Sequence, residues 1–269
     1  MNAAPNPRWV IQSNLGSSRD IELLASACAA LGLECLQVVG IPFSNELPDV
    51  PADVPTVFYG STNFITNVHR SGRWRPGAFF DDDAFQFTRT LEHYGDHCLN
   101  SDARVMTMAD LASDPRPDST RLFVRPIADL KEFAGTEFEL GEYRAWFARL
   151  NEGGFELGPG TAVISASIKP IEHEWRLFVV DDRVVAGSHY RADGVLQVTP
   201  EVPPEVAAFG ESMATIWSPA PVFVIDVAQA AGHLRVIEIN GFNSSGFYAS
   251  NIHVIVDAVS ASTRRRFPG

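Results

Sequence analysis

The chain opens on a short apolar run, Trp9, Val10 and Ile11, and then changes period. Ile21, Leu24, Cys28 and Leu31 recur at the three-to-four-residue spacing of a helix with one buried stripe. Ser17 with Asp20 fits a capping box at the start of that helix, and Gly32 fits its stop. A second apolar run over 36–41 completes a strand–helix–strand unit, and 56–59 reads as a further short buried strand. Between them, residues 42–55 hold four prolines and several acids, which suits a surface connection. After Asp81, Asp82 and Asp83, the apolar positions Ala84, Phe87, Leu91 and Tyr94 predict a helix whose leading acids face the positive end of its dipole, and Gly95 ends it. This amino-terminal stretch reads as α/β.

The segment 114–119, with two prolines and two aspartates, is the expected junction, giving an amino-terminal domain over 1–115 and a second over 116–269. Beyond it, strands are expected at 122–124, 162–168, 175–180, 184–190, 222–227 and 234–239, with few helices between them. Leu140, Tyr143, Phe147 and Leu150 mark one helix, 206–217 another, and Ile252, Ile255, Val256 and Val259 give the last a buried stripe. The pattern is α+β and mostly antiparallel. No internal repeat and no low-complexity segment interrupts it.

Two of those strands, VFVIDVA and LRVIEIN, are separated by a short turn containing Ala231 and Gly232. With Gly232 near the centre, Asp226 lies opposite Glu238, and Asn240 shares the face of Glu238. The other face carries Ile225, Val227, Ile237 and Ile239 and is wholly apolar. Two opposed carboxylates repel unless a cation, a proton or a basic partner compensates. A set of Asp, Glu and Asn oxygens suits magnesium, which keeps few protein ligands and leaves room for phosphate. The alternative is an ordinary solvated polar face.

Upstream, a hairpin turning at Asp181 and Asp182 places Glu174, Arg176 and Phe178 on one face, with His189 and Arg191 on its partner strand's polar side. Glu174 is the expected partner of Arg176, whose fork also suits phosphate or carboxylate. Arg125 closes a strand before Pro126, and Lys131 follows in a loop ending at Gly135. No GxxxxGK occurs, so this is not a Walker loop. A basic strand end with a basic loop, followed by an acidic hairpin, divides charge as a magnesium nucleotide requires.

Charge and composition narrow the partners. Thirty-three acidic residues against 21 basic give a net charge of −12, which disfavours nucleic acid and anionic membranes. Three cysteines, Cys28, Cys35 and Cys98, form no CxxC pair and read as reduced thiols. No apolar stretch approaches the roughly 18 residues of a membrane span, and the first residues lack a signal pattern, so a cytoplasmic location is expected. His93, His97 and Cys98 offer a weak zinc alternative, interrupted by Gly95; Ser244 and Ser245 lack a GxSxG frame for hydrolysis.

The order of these motifs resembles the ATP-grasp superfamily, in particular a compact bacterial and phage clade distinguished by two arginines and a lysine. FVRP with Lys131 in KEFAG resembles its first basic motif. EWRLFVVDDRVVAGSHYR is similar to its middle hairpin, and VFVIDVA with VIEINGFNSSGFY to its metal motif; together they cover 122–248. The resemblance implies a pre-ATP-grasp α/β domain followed by two α+β subdomains, with mainly antiparallel sheets, gripping ATP.

It further implies Asp226, Glu238 and Asn240 as Mg2+ ligands, and Arg125, Lys131, Ser167, Ile168, Lys169, Glu174 and Arg176 around the nucleotide. Arg125, Lys131 and Arg176 are then the catalytic cations, and Arg191, Asn243, Ser244, Ser245 and Tyr248 the acceptor contacts. Val224 stands where many of these ligases carry an arginine, leaving Arg176 or Arg191 to supply that charge. The implied activity joins a small-molecule or peptide carboxylate to an amine through an acyl phosphate. A small-molecule kinase and a Mg·ATP-binding module without turnover are the alternatives.

Overall fold

The computed structural model describes residues 5–41, 44–127, 133, 135–153 and 158–267. The expected first unit is present as β1 (Arg8–Gln12), α1 (Ser18–Ala30) and β2 (Cys35–Val38). Ser17 Oγ accepts from the Asp20 amide, which is one half of the expected box. β3 (Thr56–Tyr59), α2 (Thr62–Ser71) and β4 (Pro76–Gly77) follow, and the four strands form a parallel sheet in the order β2-β1-β3-β4. The helix expected after the acids starts later, as α3 (Phe87–Tyr94). Asp81 instead folds the chain into a turn, its Oδ1 accepting from the amides of Asp83 and Ala84.

The next strands build a small antiparallel sheet. β5 (Arg104–Thr107), α4 (Met108–Ala112), β6 (Arg121–Pro126), β7 (Thr136–Glu139), α5 (Leu140–Gly153) and β8 (Ala162–Ala166) give the order β5-β8-β6-β7. β5 pairs with β8, so a division at residue 115 would separate these bonded strands. The larger antiparallel sheet follows: β9 (His173–Val180), β10 (Arg183–Ala192), β11 (Val195–Thr199), α6 (Pro204–Ile216), β12 (Val222–Ala230) and β13 (His233–Gly241), with α7 (Ile252–Arg266) last. Its order is β11-β10-β9-β12-β13.

Burial divides the molecule differently from sequence order. Val10 and Phe58 of the parallel sheet pack in one core with Leu177, Val179, Phe223 and Ile225 of the large sheet. Trp9, Ile11 and Val57 share a second core with Phe178, Val222 and Val224 and with α1 and α7. Asn243 links the same two sheets, donating to the Phe58 carbonyl at 2.6 Å and accepting from the Phe79 amide at 2.8 Å. The small sheet has its own core, built from Met108, Leu111, Leu122, Val124, Leu140, Tyr143 and Val163. Two bodies of packed side chains therefore face each other, and the space between them is open to ligand.

Two one-residue bulges set what faces that space. Ala231 and Gly232 (φ +50° and +74°) make a two-residue turn that pairs Ala230 with His233. An unbroken ladder from there would set Asp226 against Ile237. A register shift after Val236 pairs Asp226 with Glu238 instead. The expected opposition holds, but Ile237 leaves the core face, where Val236 takes its place beside Ile225 and Val227. On β10 a second shift pairs His189 with Trp175 and Arg191 with Glu174, so Tyr190 is the extra residue. His189 thus leaves the polar side it was expected on and packs against Trp175 and His173. Bulges beside active sites commonly re-aim side chains in this way.

The β13 bulge makes two neighbouring aliphatic residues unequal. Val236→Ala should lower the unfolding free energy by about 2 kcal/mol, and Ile237→Ala by less than about 1 kcal/mol, in urea titration. Equal costs would place both on the core face.

Candidate active site

A cavity of about 680 Å³ lies between the small sheet and the large one. Its centre holds four charged groups. Arg176 Nε donates to Asp226 Oδ1 at 2.9 Å and Nη2 to Oδ2 at 2.7 Å, a two-pronged pair in which the aspartate side chain is only 2% exposed. Arg125, from β6 across the cavity, donates through Nη1 to Glu238 Oε2 at 2.8 Å. Asn240 Nδ2 reaches both carboxylates, at 3.3 Å to Asp226 and 3.0 Å to Glu238. The three sites expected for metal thus converge, with both expected arginines on them.

Charge and burial act against each other here. Burial pushes the Asp226 carboxyl up to about 6, against the pull of Arg176. Burial works in the same sense on Glu238, but Arg125, the Asn240 amide and Arg176 together hold that carboxyl below its ordinary value. Burial also opposes charge on Arg176, and Asp226 more than offsets it, so its pKa rises. One proton shared by this pair of carboxyls therefore resides on Asp226.

Glu174 does not pair with Arg176. It accepts from Tyr190 Oη at 2.6 Å and lies 3.5 Å from Arg191 Nη1. Burial, with the nearby Asp226 and Glu174 carboxylates, raises the Tyr190 phenol well above its usual value and keeps it a donor. Tyr248 stacks on Tyr190, ring centroids 4.8 Å apart, and the Arg176 guanidinium lies 5.1 Å from the Tyr248 ring. Tyr248 holds a φ of +51°, a left-handed backbone that tyrosine rarely adopts and that clusters at functional sites.

At the other end the cavity turns apolar. Leu99, Ile171 and Ile237 line it, close to Ala228. The expected strand stops at Ala166, and Ser167, Ile168 and Lys169 follow it along the cavity wall. Lys169 is paired with Asp102 and also donates to Asn100 Oδ1 at 3.4 Å, while Ser167 donates to Asp102 through Oγ at 2.6 Å.

Three of the expected acceptor residues are placed elsewhere. Asn243 is fully buried in the link between the sheets, and Ser245 Oγ donates to the Gly241 carbonyl at 2.8 Å. Ser244 closes a short 3-10 turn with Asn243 and does not line the cavity. Arg191 and Tyr248 do line the cavity, and Lys131 lies outside the described residues. The zinc alternative disperses: His93 stacks on Trp217, His97 lies against Phe209, and Cys98 Sγ contacts the Thr90 carbonyl at 3.7 Å.

Tyr190, Ile237 and Asp102 were missed by sequence reasoning. The first two reach the cavity only through bulges, and the third is 65 positions from its Ser167 partner.

A family model described as an ATP-grasp domain, family 3 of the clade with two arginines and a lysine, matches residues 60–260. The chain belongs to the ATP-grasp superfamily. No curated protein sequence matches it. Among solved structures it is similar to D-cycloserine synthetase DcsG, with a TM-score of 0.59 at 14% identity over 96% of this chain and 99% of that one. It is also similar to the ATP-grasp ligase PsnB with minimal precursor, Mg and ADP, with a TM-score of 0.57 at 16% identity over 98% and 100%. D-alanine–D-alanine ligase from Bacillus anthracis, complexed with ATP, gives a TM-score of 0.64 at 10% identity over 97% and 98%. At these identities the likeness is one of fold. The parallel sheet followed by two antiparallel sheets is the ATP-grasp arrangement that the sequence motifs imply.

The donor set of this ATP-grasp site fits magnesium. Among the described residues no group of three or more His, Cys, Asp or Glu could hold a metal. Asp226 and Glu238 with the Asn240 amide supply a few hard oxygens, which is the set Mg2+ uses when phosphate and water complete its shell. The buried Asp226 carboxyl, driven upward by desolvation, is the group a divalent cation would favour in ionised form.

The Asp102 cluster gives a pH test. Burial alone would raise this carboxyl, but Lys169 and the hydroxyl and amide of Ser167 hold it at about 2. A depressed acid adds stability above its unfolded value, and that stability is lost as pH falls from about 4 towards 2. Asp102→Asn should remove some of this acid-side loss, about 1 kcal/mol or less because the pair is partly exposed, in urea titrations from pH 5 to 2.5. Identical pH profiles would show that Asp102 is not held by Lys169 and Ser167.

Proposed function

We propose that this chain is an ATP-dependent carboxylate–amine ligase that forms an amide through an acyl phosphate and releases ADP and phosphate. The observation that carries the reading is the opposition of Asp226 and Glu238 across β12 and β13, met by Arg176 on the same sheet and by Arg125 from the sheet across the cavity. An acidic pair ringed by arginines from two facing sheets suits a metal-bound triphosphate better than a lone anion or a lone cation.

In this reading the apolar end near Leu99, Ile171 and Ile237 takes the adenine, beside Ser167, Ile168 and Lys169. Glu174 lies on the same wall, within reach of the nucleotide's sugar or phosphates. Bound Mg2+, held by Asp226, Glu238 and Asn240, supplies neutralisation of phosphate charge. Arg125 and Arg176 orient the phosphates and stabilise charge on the transferring group; Lys131 joins them from its loop. Arg176 and Arg191 stand where the attacking carboxylate must approach, with the Tyr190–Tyr248 stack as the wall that limits its shape. Little covalent chemistry is asked of the protein, so positioning and electrostatics carry the rate.

The substrates are a small-molecule or peptide carboxylate and an amine. PsnB, a ligase of similar fold, is seen with a precursor peptide, which favours including peptides among the acids tested.

Mg2+-dependent ATP binding should fall roughly tenfold or more in Glu238→Ala relative to wild type, by calorimetry. Equal affinity and equal Mg2+ dependence would remove the site assignment. Hydroxylamine, standing in for the amine, then traps any acyl phosphate: a panel of amino acids, small acids and short peptides should give hydroxamate with matching ADP and phosphate. A stable phosphoester instead would mark a kinase, and nucleotide binding with no ADP from any acid would mark a module without turnover.

A further inference from the structure

The cations expected to grip phosphate and the carboxylates expected to hold metal are bonded to one another. Arg176 occupies both oxygens of Asp226, and its Nη1 also donates to the Gly246 carbonyl at 3.2 Å. Arg125 occupies Glu238, and that bond crosses the cavity between sheets with separate cores. The side chains of Arg176 and Arg125 are 13% and 14% exposed, so neither pair is a loose surface contact.

Removing one member of such a pair leaves the other as an uncompensated buried charge, which costs several kcal/mol. A bare divalent ion entering the carboxylates displaces two guanidinium groups and leaves them together without anions. A bare triphosphate drawing off both arginines leaves two opposed carboxylates, one almost fully buried, with no cation between them. Each of these half-loaded states strands like charges. Only when metal and triphosphate arrive together does every charge find a partner.

Resting on the nucleotide-binding reading above, we infer that Arg125 and Arg176 act as stand-ins for the metal, so that divalent ion and nucleotide load as a single unit. Metal affinity without nucleotide is low, nucleotide affinity without metal is low, and each raises the other by the same factor, as linkage requires.

Mn2+ replaces Mg2+ so that binding is read by electron paramagnetic resonance, without turnover. For the wild-type chain, saturating ADP should tighten Mn2+ at least about tenfold, and saturating Mn2+ should tighten ADP by the same factor. Arg125→Gln should raise nucleotide-free Mn2+ affinity several-fold while weakening ADP. A merely misfolded variant would lose both. Arg183→Gln, an exposed arginine paired with Glu211 away from the cavity, controls for loss of a positive charge and should change neither.

The inference is overturned if Mn2+ binds equally well with and without ADP, or if Arg125→Gln leaves nucleotide-free Mn2+ affinity unchanged or lower. Absence of any metal-dependent nucleotide binding overturns the functional reading itself; binding of both without coupling overturns only this inference.

Discussion

Two acids set face to face inside a folded protein are the constraint around which this structure is arranged. Asp226 and Glu238 cannot both be ionised and buried without positive charge at hand, and the chain supplies it from two directions. Arg176 comes from the adjacent strand of the same sheet, and Arg125 from a different sheet with a different core. The first makes the large sheet locally self-consistent. The second makes its charge balance depend on how the small sheet is seated, which couples the chemistry of the cavity to the fit between two bodies.

That coupling gives the remaining architecture its purpose. The small sheet shares little apolar packing with the rest, so polar groups at the cavity rather than a common core set its approach. The parallel sheet takes the opposite course, merging with the large sheet in two cores and tied to the end of β13 by Asn243. One flank of the site is rigidly backed, while the other is held by the charges that ligand would use.

The strand alternation that places Asp226, Glu238 and Asn240 on one side was legible because VFVIDVA and LRVIEIN have a clean period of two and a short turn. The apolar helix stripes of α1, α5 and α7 were legible for the same reason. The bulges were not. Val236 and Ile237 are adjacent aliphatic residues, and nothing local says which faces the core; His189, Tyr190 and Arg191 are similarly ambiguous. Asn243 and Ser245 look like ligand contacts because they are polar and follow a metal strand. Their partners at Phe58, Phe79 and Gly241 are set by tertiary packing, most of it far away in sequence. The Glu174–Arg176 pairing failed for a related reason: the aspartate facing Arg176 across β9 and β12 lies 50 positions away and outcompetes the neighbour two residues back.

The shared cores have a consequence for how such a chain can be shortened or recombined. A segment that looks like an accessory α/β module is half of the wall against which the metal strands are built, since Trp9, Val10, Ile11, Val57 and Phe58 are all fully buried. Excising it would strip apolar surface from both sides of the large sheet at once and take away the carbonyl that anchors Asn243. Grafting a new amino-terminal half therefore calls for matching two hydrophobic surfaces and one amide clasp, whereas exchanging the small sheet calls mainly for an arginine delivered to the same spot.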